Sequence, residues 1–291
     1  MSNGIALPSD LTNPIKLADW LELIALSSAD GNSSHGDLER VLNRLGVEDK
    51  DSLCRDTVSE LSRRGSATGD NYPFFFSGTL LALKNDWKKY IPYVFCLLLS
   101  YADEKMKKTK GVKHEVMFES LSCLAARNYI GGDVVRFGAP RKELPSSFKE
   151  ALSKLCENVG EWTHSKAAKT LNAQDDGLDL VAWKRFPDQR MGKLILFGHC
   201  ASGHNWEDKI NELQPSDFCS KWLGGDKSPI VKTFFIPHLL SHDVWDHRAI
   251  SAKLFFDRCR IAHSVKSDEF CAYTKNESLR WCEKVLPRLK S

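Results

Sequence analysis

The sequence predicts an α/β (α+β) fold: a mixed β-sheet flanked by helices, with a small helical region at its N-terminus. Three observations predict it. Between residues 114 and 265 the apolar periodicity alternates in the order α, β, α, β, β, α, β, α, which interleaves helices with a small sheet. Within that span two apolar runs, Gly177 to Phe186 and Lys193 to Cys200, are joined by Pro187-Asp188-Gln189-Arg190-Met191-Gly192, a link of hairpin length. Ahead of it, residues 13 to 64 carry helical spacing and no strand signal.

In order, Ile15, Leu17, Trp20, Leu23, Ile24 and Leu26 follow a period near 3.6 and predict a first helix, stopped by the turn cluster Ala29-Asp30-Gly31-Asn32. A second helix is expected over His35 to Leu45, closed by Gly46, and a third over Asp51 to Arg63. The small polar stretch from Arg64 to Asn71 reads as a boundary between a region 1–70 and a domain 71–291. A mostly helical stretch is expected over Leu80 to Tyr101, then helices over His114 to Asn128 and Ser146 to Val159 around a strand at Val134 to Phe137. After the hairpin come a short helix from Asn205, a strand at Val231 to Pro237, a long helix over His247 to Val265 and a last helix over Asn276 to Leu286.

Composition narrows the classes. The chain has 291 residues, with 41 Lys and Arg against 38 Asp and Glu, a net charge of +3. No global basic field announces nucleic acid, so any anion site must be local. Apolar content of 42% and charged content of 27% exclude collagen-like, coiled-coil and wholly disordered chains. The longest apolar stretch, Ile91 to Ser100, is too short for a bilayer span, which needs about 20 residues. The opening MSNGIALPSD lacks the basic start and apolar core of a signal peptide. Nine cysteines without a C-x-x-C pair read as reduced thiols. A cytoplasmic protein without a membrane partner is the expectation.

Asp179 carries the clearest chemical signal. In Asp175-Asp176-Gly177-Leu178-Asp179-Leu180-Val181-Ala182-Trp183 it shares a strand face with Val181 and Trp183. A carboxylate inside an apolar run is costly unless paired, hydrogen-bonded or metal-bound. On the partner strand, His199 is the polar residue that ends an apolar run, so both fall near one sheet face. An acidic strand hairpinned to a strand with a polar end suits a divalent-metal nuclease site, where a metal activates water and steadies a leaving oxygen.

On these residues the chain resembles the PD-(D/E)xK nuclease superfamily over about residues 114 to 265. The resemblance implies a restriction-endonuclease-like core: a helix, three successive strands, a helix and a further strand. It implies Asp179, in DGLDLVAW, as the metal-binding aspartate, and Glu119, in Phe118-Glu119-Ser120-Leu121, as the glutamate of the first helix. Where the family has Glu or Gln, one residue and Lys, this chain has His199-Cys200-Ala201. Ala201 cannot replace a lysine. In some members the lysine moves to the following helix, and Lys209, at the edge of the Trp206, Ile210, Leu213 stripe, fits that position, with Lys184 and Lys193 as alternatives.

The expected function is a Mg²⁺- or Mn²⁺-dependent DNA endonuclease, placed by resemblance in prokaryotic restriction or phage defence. Asp179, His199 and Glu119 would form the metal shell, with Glu161 as an alternative acid, because Glu119 lies nearly opposite the Met117, Leu121, Leu124 face of its helix. Lys209 would stabilise the developing phosphorane charge. The competing expectation is a catalytically degenerate nuclease-fold subunit that binds nucleic acid or a protein, the latter through the N-terminal region. Arg258 falls in the Ile250, Leu254, Ile261, Val265 stripe and must snorkel, pair with a carboxylate or meet a phosphate. Lys105, Lys107, Lys108, Lys110 and Lys113 read as a solvated loop, or alternatively as a phosphate-contacting one. Neither His238, His242 and His247 nor His199, Cys200 and His204 has a zinc-ligand spacing.

Overall fold

The computed structural model describes residues 5–164, 175–225 and 228–290; residues 1–4 of the N-terminal stretch lie outside them. The chain folds as two units.

Unit 1 takes residues up to 114, 237–241 and 258 onwards. It opens with α1 (Pro14–Ser27), capped by Asn13, whose side chain accepts from the Ile15 N–H at 3.0 Å. β1 (Asn32–Ser34) leads into α2 (His35–Arg44), started by a reciprocal Ser34–Asp37 capping box. α3 (Lys50–Thr68) runs through the segment expected to be a linker and ends at Gly69, at φ +65°. The helix continues because Arg64 is fully buried and bonded to acids on α1. The expected boundary at residue 70 therefore falls inside this unit. β2 (Phe74–Ser77) and β3 (Leu80–Leu83) pair antiparallel, with β1 on the other side of β3. The helix expected from Leu80 instead begins at Ile91, as α4 (Ile91–Tyr101), buried over nearly its whole length. α5 (Glu104–Lys107) is a single turn.

Unit 2 takes residues 115–236 and 242–257. Its elements are α6 (His114–Ile130), β4 (Asp133–Arg136), α7 (Phe148–Val159), β5 (Thr163–His164), β6 (Leu180–Lys184), β7 (Leu194–Cys200), α8 (Trp206–Lys209), α9 (Pro215–Trp222), β8 (Leu223–Gly224), β9 (Ile230–Phe235), α10 (His242–Ala252) and β10 (Leu254–Phe256). The five-stranded sheet has the order β10-β9-β7-β6-β4. β4, β6 and β7 form an antiparallel run, and β9 and β10 add in parallel. β7 is central, and β6, which begins directly after Asp179, is one place from the edge. Val181, Trp183, Ile195 and Phe197 face one side of the sheet and pack on Leu152, Leu155, Phe218 and Trp222 of α7 and α9. Burying each such side chain contributes roughly 1.5–3 kcal/mol.

The long helix expected over His247 to Val265 is broken. Lys253 sits at φ +64° and ends α10, and Leu254–Phe256 then pairs beside β9. A sheet edge that accepts Leu-Phe-Phe outweighs the helical spacing of the run. Unit 1 resumes with α11 (Arg258–Ser264), α12 (Ser267–Tyr273) and α13 (Glu277–Val285). None of the nine cysteines forms a disulfide. Among the described residues no helix is long and apolar enough to cross a membrane.

Candidate active site

Strand register brings Asp179 and His199 together. Val181 lies opposite Phe197 in the β6–β7 ladder, so two residues back Asp179 stands opposite His199 on the same face. The Asp179 main chain is held from both sides: its N–H donates to the Gly198 carbonyl at 2.9 Å, and its carbonyl accepts from Phe137 N–H at 2.7 Å and Gly138 N–H at 3.0 Å. Its side chain is aimed in turn. Oδ2 accepts from the Cys200 backbone N–H at 2.7 Å and lies 2.9 Å from His199 Nδ1.

Glu119 reaches the same place from α6. A methyl group placed on Gly138 would stand 2.7 Å from Glu119 Oε2 and 3.1 Å from Asp179 Oδ1, so the two carboxylates converge within about 6 Å on the space that the missing side chain leaves. Glu119 is not the solvated group that its helical position suggested: its side chain is 14% exposed. Arg136, from the last position of β4, donates to Glu119 Oε2 at 2.6 Å and to the Gly138 carbonyl at 2.9 Å, and also to the Pro140 carbonyl. Burial, reinforced by the Asp179 charge, pushes the Glu119 carboxyl up to about 7 against the opposing pull of Arg136.

His199 is buried, with Nε2 3.3 Å from Glu212 Oε2, and neither ring nitrogen makes a well-directed hydrogen bond. The 2.9 Å approach of Nδ1 to Asp179 Oδ2 is close but poorly aligned for a hydrogen bond. Burial alone would lower the imidazole pKa, but Asp179 and then Glu212 outweigh it and raise the value, with Lys209 opposing them. Lys209 therefore lies within electrostatic reach of His199. Its ammonium makes no hydrogen bond or ion pair among the described residues, and it is half-buried at the end of a single helical turn. Burial, then Asp179 and Glu119, push the Cys200 thiol well above the usual range, which disfavours a thiolate there.

The other expected site residues lie elsewhere. Glu161 and Lys193 form a buried pair at 3.0 Å, and Glu161 also accepts from the Gly192 and Lys193 N–H groups and from Ser228 Oγ. Lys193 precedes β7, whereas His199 is near its end, a strand length of about 20 Å away at 3.3 Å per residue. Glu161 is thus a clasp on the hairpin rather than an alternative acid. Lys184 ends β6 and donates to the Gly131 carbonyl, also at the far end from Asp179. Arg258 belongs to the core of unit 1, fully buried, with Nη1 2.8 Å from Asp19 Oδ1 and Nη2 2.6 Å from Ser100 Oγ. It pairs with a carboxylate and has no face for a phosphate. Arg136 and Glu212 went unread in the sequence; Gly138, directly after an apolar strand, was the available sign of a close approach.

Among the described residues no three His, Cys, Asp or Glu side chains stand together as a complete metal set. Two converging carboxylates do fit Mg²⁺, which keeps several waters and is bound through one or two carboxylates plus substrate phosphates. No protein-family model matches the chain, and no curated protein or solved structure matches it either.

Proposed function

We propose that the chain is a divalent-metal-dependent DNA endonuclease of the PD-(D/E)xK type. The convergence of Asp179 and Glu119 on Gly138, with His199 and Lys209 beside them, carries this reading. The order of a helix with Glu119, an antiparallel run of three strands, intervening helices and a parallel fourth strand supports it.

Asp179 Oδ1 and Glu119 would hold Mg²⁺ or Mn²⁺, leaving Asp179 Oδ2 to the Cys200 N–H and His199. When bound, such an ion lowers the pKa of water and offsets charge on a phosphodiester. Arg136 fixes the Glu119 carboxylate against the 138–140 turn. His199, flanked by Asp179 and Glu212, would present positive charge beside the aspartate when protonated, and Lys209 offers a further unpaired cation to a developing phosphorane.

A second reading has its own observation. Arg136 already supplies Glu119 with a positive charge, and Ala201, 1% exposed, stands where the family lysine would be. A binding module without cleavage would keep this arrangement. Incubation of a supercoiled plasmid with Mg²⁺ or Mn²⁺ separates the two readings. The nuclease nicks it, stops with EDTA, and loses cleavage in Asp179→Ala while keeping its melting temperature. Full cleavage by the alanine variant, or none by the wild type, overturns the assignment.

A further inference from the structure

The lysine run in unit 1 is solvated at four of its five lysines, as its composition suggests, but its backbone is anchored. Lys107 is 1% exposed, and its ammonium lies 2.8 Å from Glu104. Its carbonyl accepts from the buried Trp281 indole N–H at 3.0 Å. Arg288 donates to the Met106 and Lys108 carbonyls at 2.8 and 2.9 Å. Thr109 and Val112 close a tight turn through Gly111, at φ +79°. The backbone is therefore pinned on the C-terminal segment, while Lys105, Lys108, Lys110 and Lys113 stay exposed. Their ammonium groups have no hydrogen bond or ion pair among the described residues. Residues 103–113 carry five lysines against Asp103 and Glu104, a net +3, as much as the whole chain.

We infer that this pinned loop is a docking surface for the phosphate backbone of double-stranded DNA, an inference that takes its choice of partner from the proposed nuclease function. Its chemistry selects the duplex. None of the exposed large apolar side chains lies in 103–113 or 284–290. Insertion into a membrane surface draws on such side chains, and single strands need aromatics on which to stack, so a purely electrostatic attraction to anionic headgroups is left to the vesicle arm of the test. Four exposed ammonium groups on an anchored backbone, with no exposed large apolar side chain among them, suit phosphates read without sequence.

The test is fluorescence anisotropy of a labelled duplex of about 25 base pairs in EDTA, as a function of salt, on the full chain. Replacing Lys105, Lys108, Lys110 and Lys113 together by Gln lowers affinity by about 10²-fold or more near 0.1 M salt and reduces the log–log salt slope by about 3 to 4. Thermal melting stays unchanged, because these side chains are exposed and their ammonium groups make no hydrogen bond or ion pair among the described residues. A control lacking Arg55, Lys84, Lys266 and Lys275, also exposed in unit 1, loses far less. An unchanged slope, an equal loss in the control, or binding of anionic phosphatidylserine vesicles in place of the duplex overturns the inference. Because EDTA blocks cleavage, a protein that binds through this loop but never nicks DNA fails only the nuclease reading.

Discussion

Within the candidate site, environment reshapes the chemistry of Glu119. Its carboxyl is pushed up to about 7 by burial and by Asp179, so the native state binds an extra proton between its unfolded pKa and that value. Stability from this site is highest in mild acid and falls as pH rises from about 4.5 to 7, by on the order of 3 kcal/mol at full effect. His199, its pKa also raised, contributes with the same sign at higher pH. Urea unfolding at several pH values checks this: Glu119→Gln flattens the decline between pH 5 and 7. A wild-type curve already flat there contradicts the close approach of the two carboxylates. The residue-scale signals readable in the sequence were polar side chains on apolar strands, which is why Asp179 and His199 stood out. Glu119 was harder to read because α6 is buried on almost every side, so opposition to the Met117, Leu121, Leu124 face does not mean solvent. Arg136 was unreadable because its partners, Glu119 and the 138–140 turn, are set by tertiary pairing.

At the scale of elements, the β6–β7 hairpin carries the site and was legible, because period-2 apolar runs around a short link admit few alternatives. The helix expected over His247 to Val265 was not, since spacing cannot reveal that a sheet edge waits for Leu254–Phe256. Gly198 shows how closely the hairpin is packed beneath the site. A methyl group there would stand 2.6 Å from Leu180 Cγ and 3.1 Å from Phe235 Cε2. Gly198→Ala is therefore expected to destabilise by about 1–3 kcal/mol through overpacking. It also displaces the strand end that bears His199, so under the proposed nuclease function plasmid cleavage is expected to fall as well. Trimming Leu180 to Val in the same chain makes room and restores part of both. Denaturant midpoints for the two single variants and the double variant decide it; additive losses would show that the two side chains do not compete for space.

For the molecule as a whole, the chain leaves unit 1 and returns to it, and Arg258 stands at the return. Its Nε donates to the Pro237 carbonyl at 3.2 Å, so one guanidinium holds both re-entering segments, 237–241 and 258 onwards. Around it lie Asp19 and Glu22 of α1, Arg64 of α3, and the hydroxyls of Tyr72 and Tyr93, which donate to Glu22 at 2.7 and 2.8 Å. Asp19 and Glu22 thus face two guanidiniums, all four groups buried, and Glu60 adds a third carboxyl 2.9 Å from Arg64 Nε. Burial would raise the Asp19 carboxyl, but the charges of Arg258 and Arg64 outweigh it and hold the value at about 2. That contribution is complete above the unfolded pKa of about 4 and is lost as pH falls through 2. No linker signal could show this arrangement: the Gly- and Ser-containing stretch after Arg63 looked like a boundary, while Arg64 at its start belongs to the core. Arg258→Ala leaves a buried negative charge uncompensated and is expected to cost about 3–5 kcal/mol, a large share of a stability of about 5–15 kcal/mol. Combining Asp19→Asn with Arg258→Met removes both charges and recovers much of that loss, since an apolar side chain fills the space and no lone charge remains. Melting curves at pH 7 for the Arg258→Ala chain and the double variant measure the difference. A single variant that melts with the wild type would place Arg258 outside the core and return it to the candidates for phosphate binding.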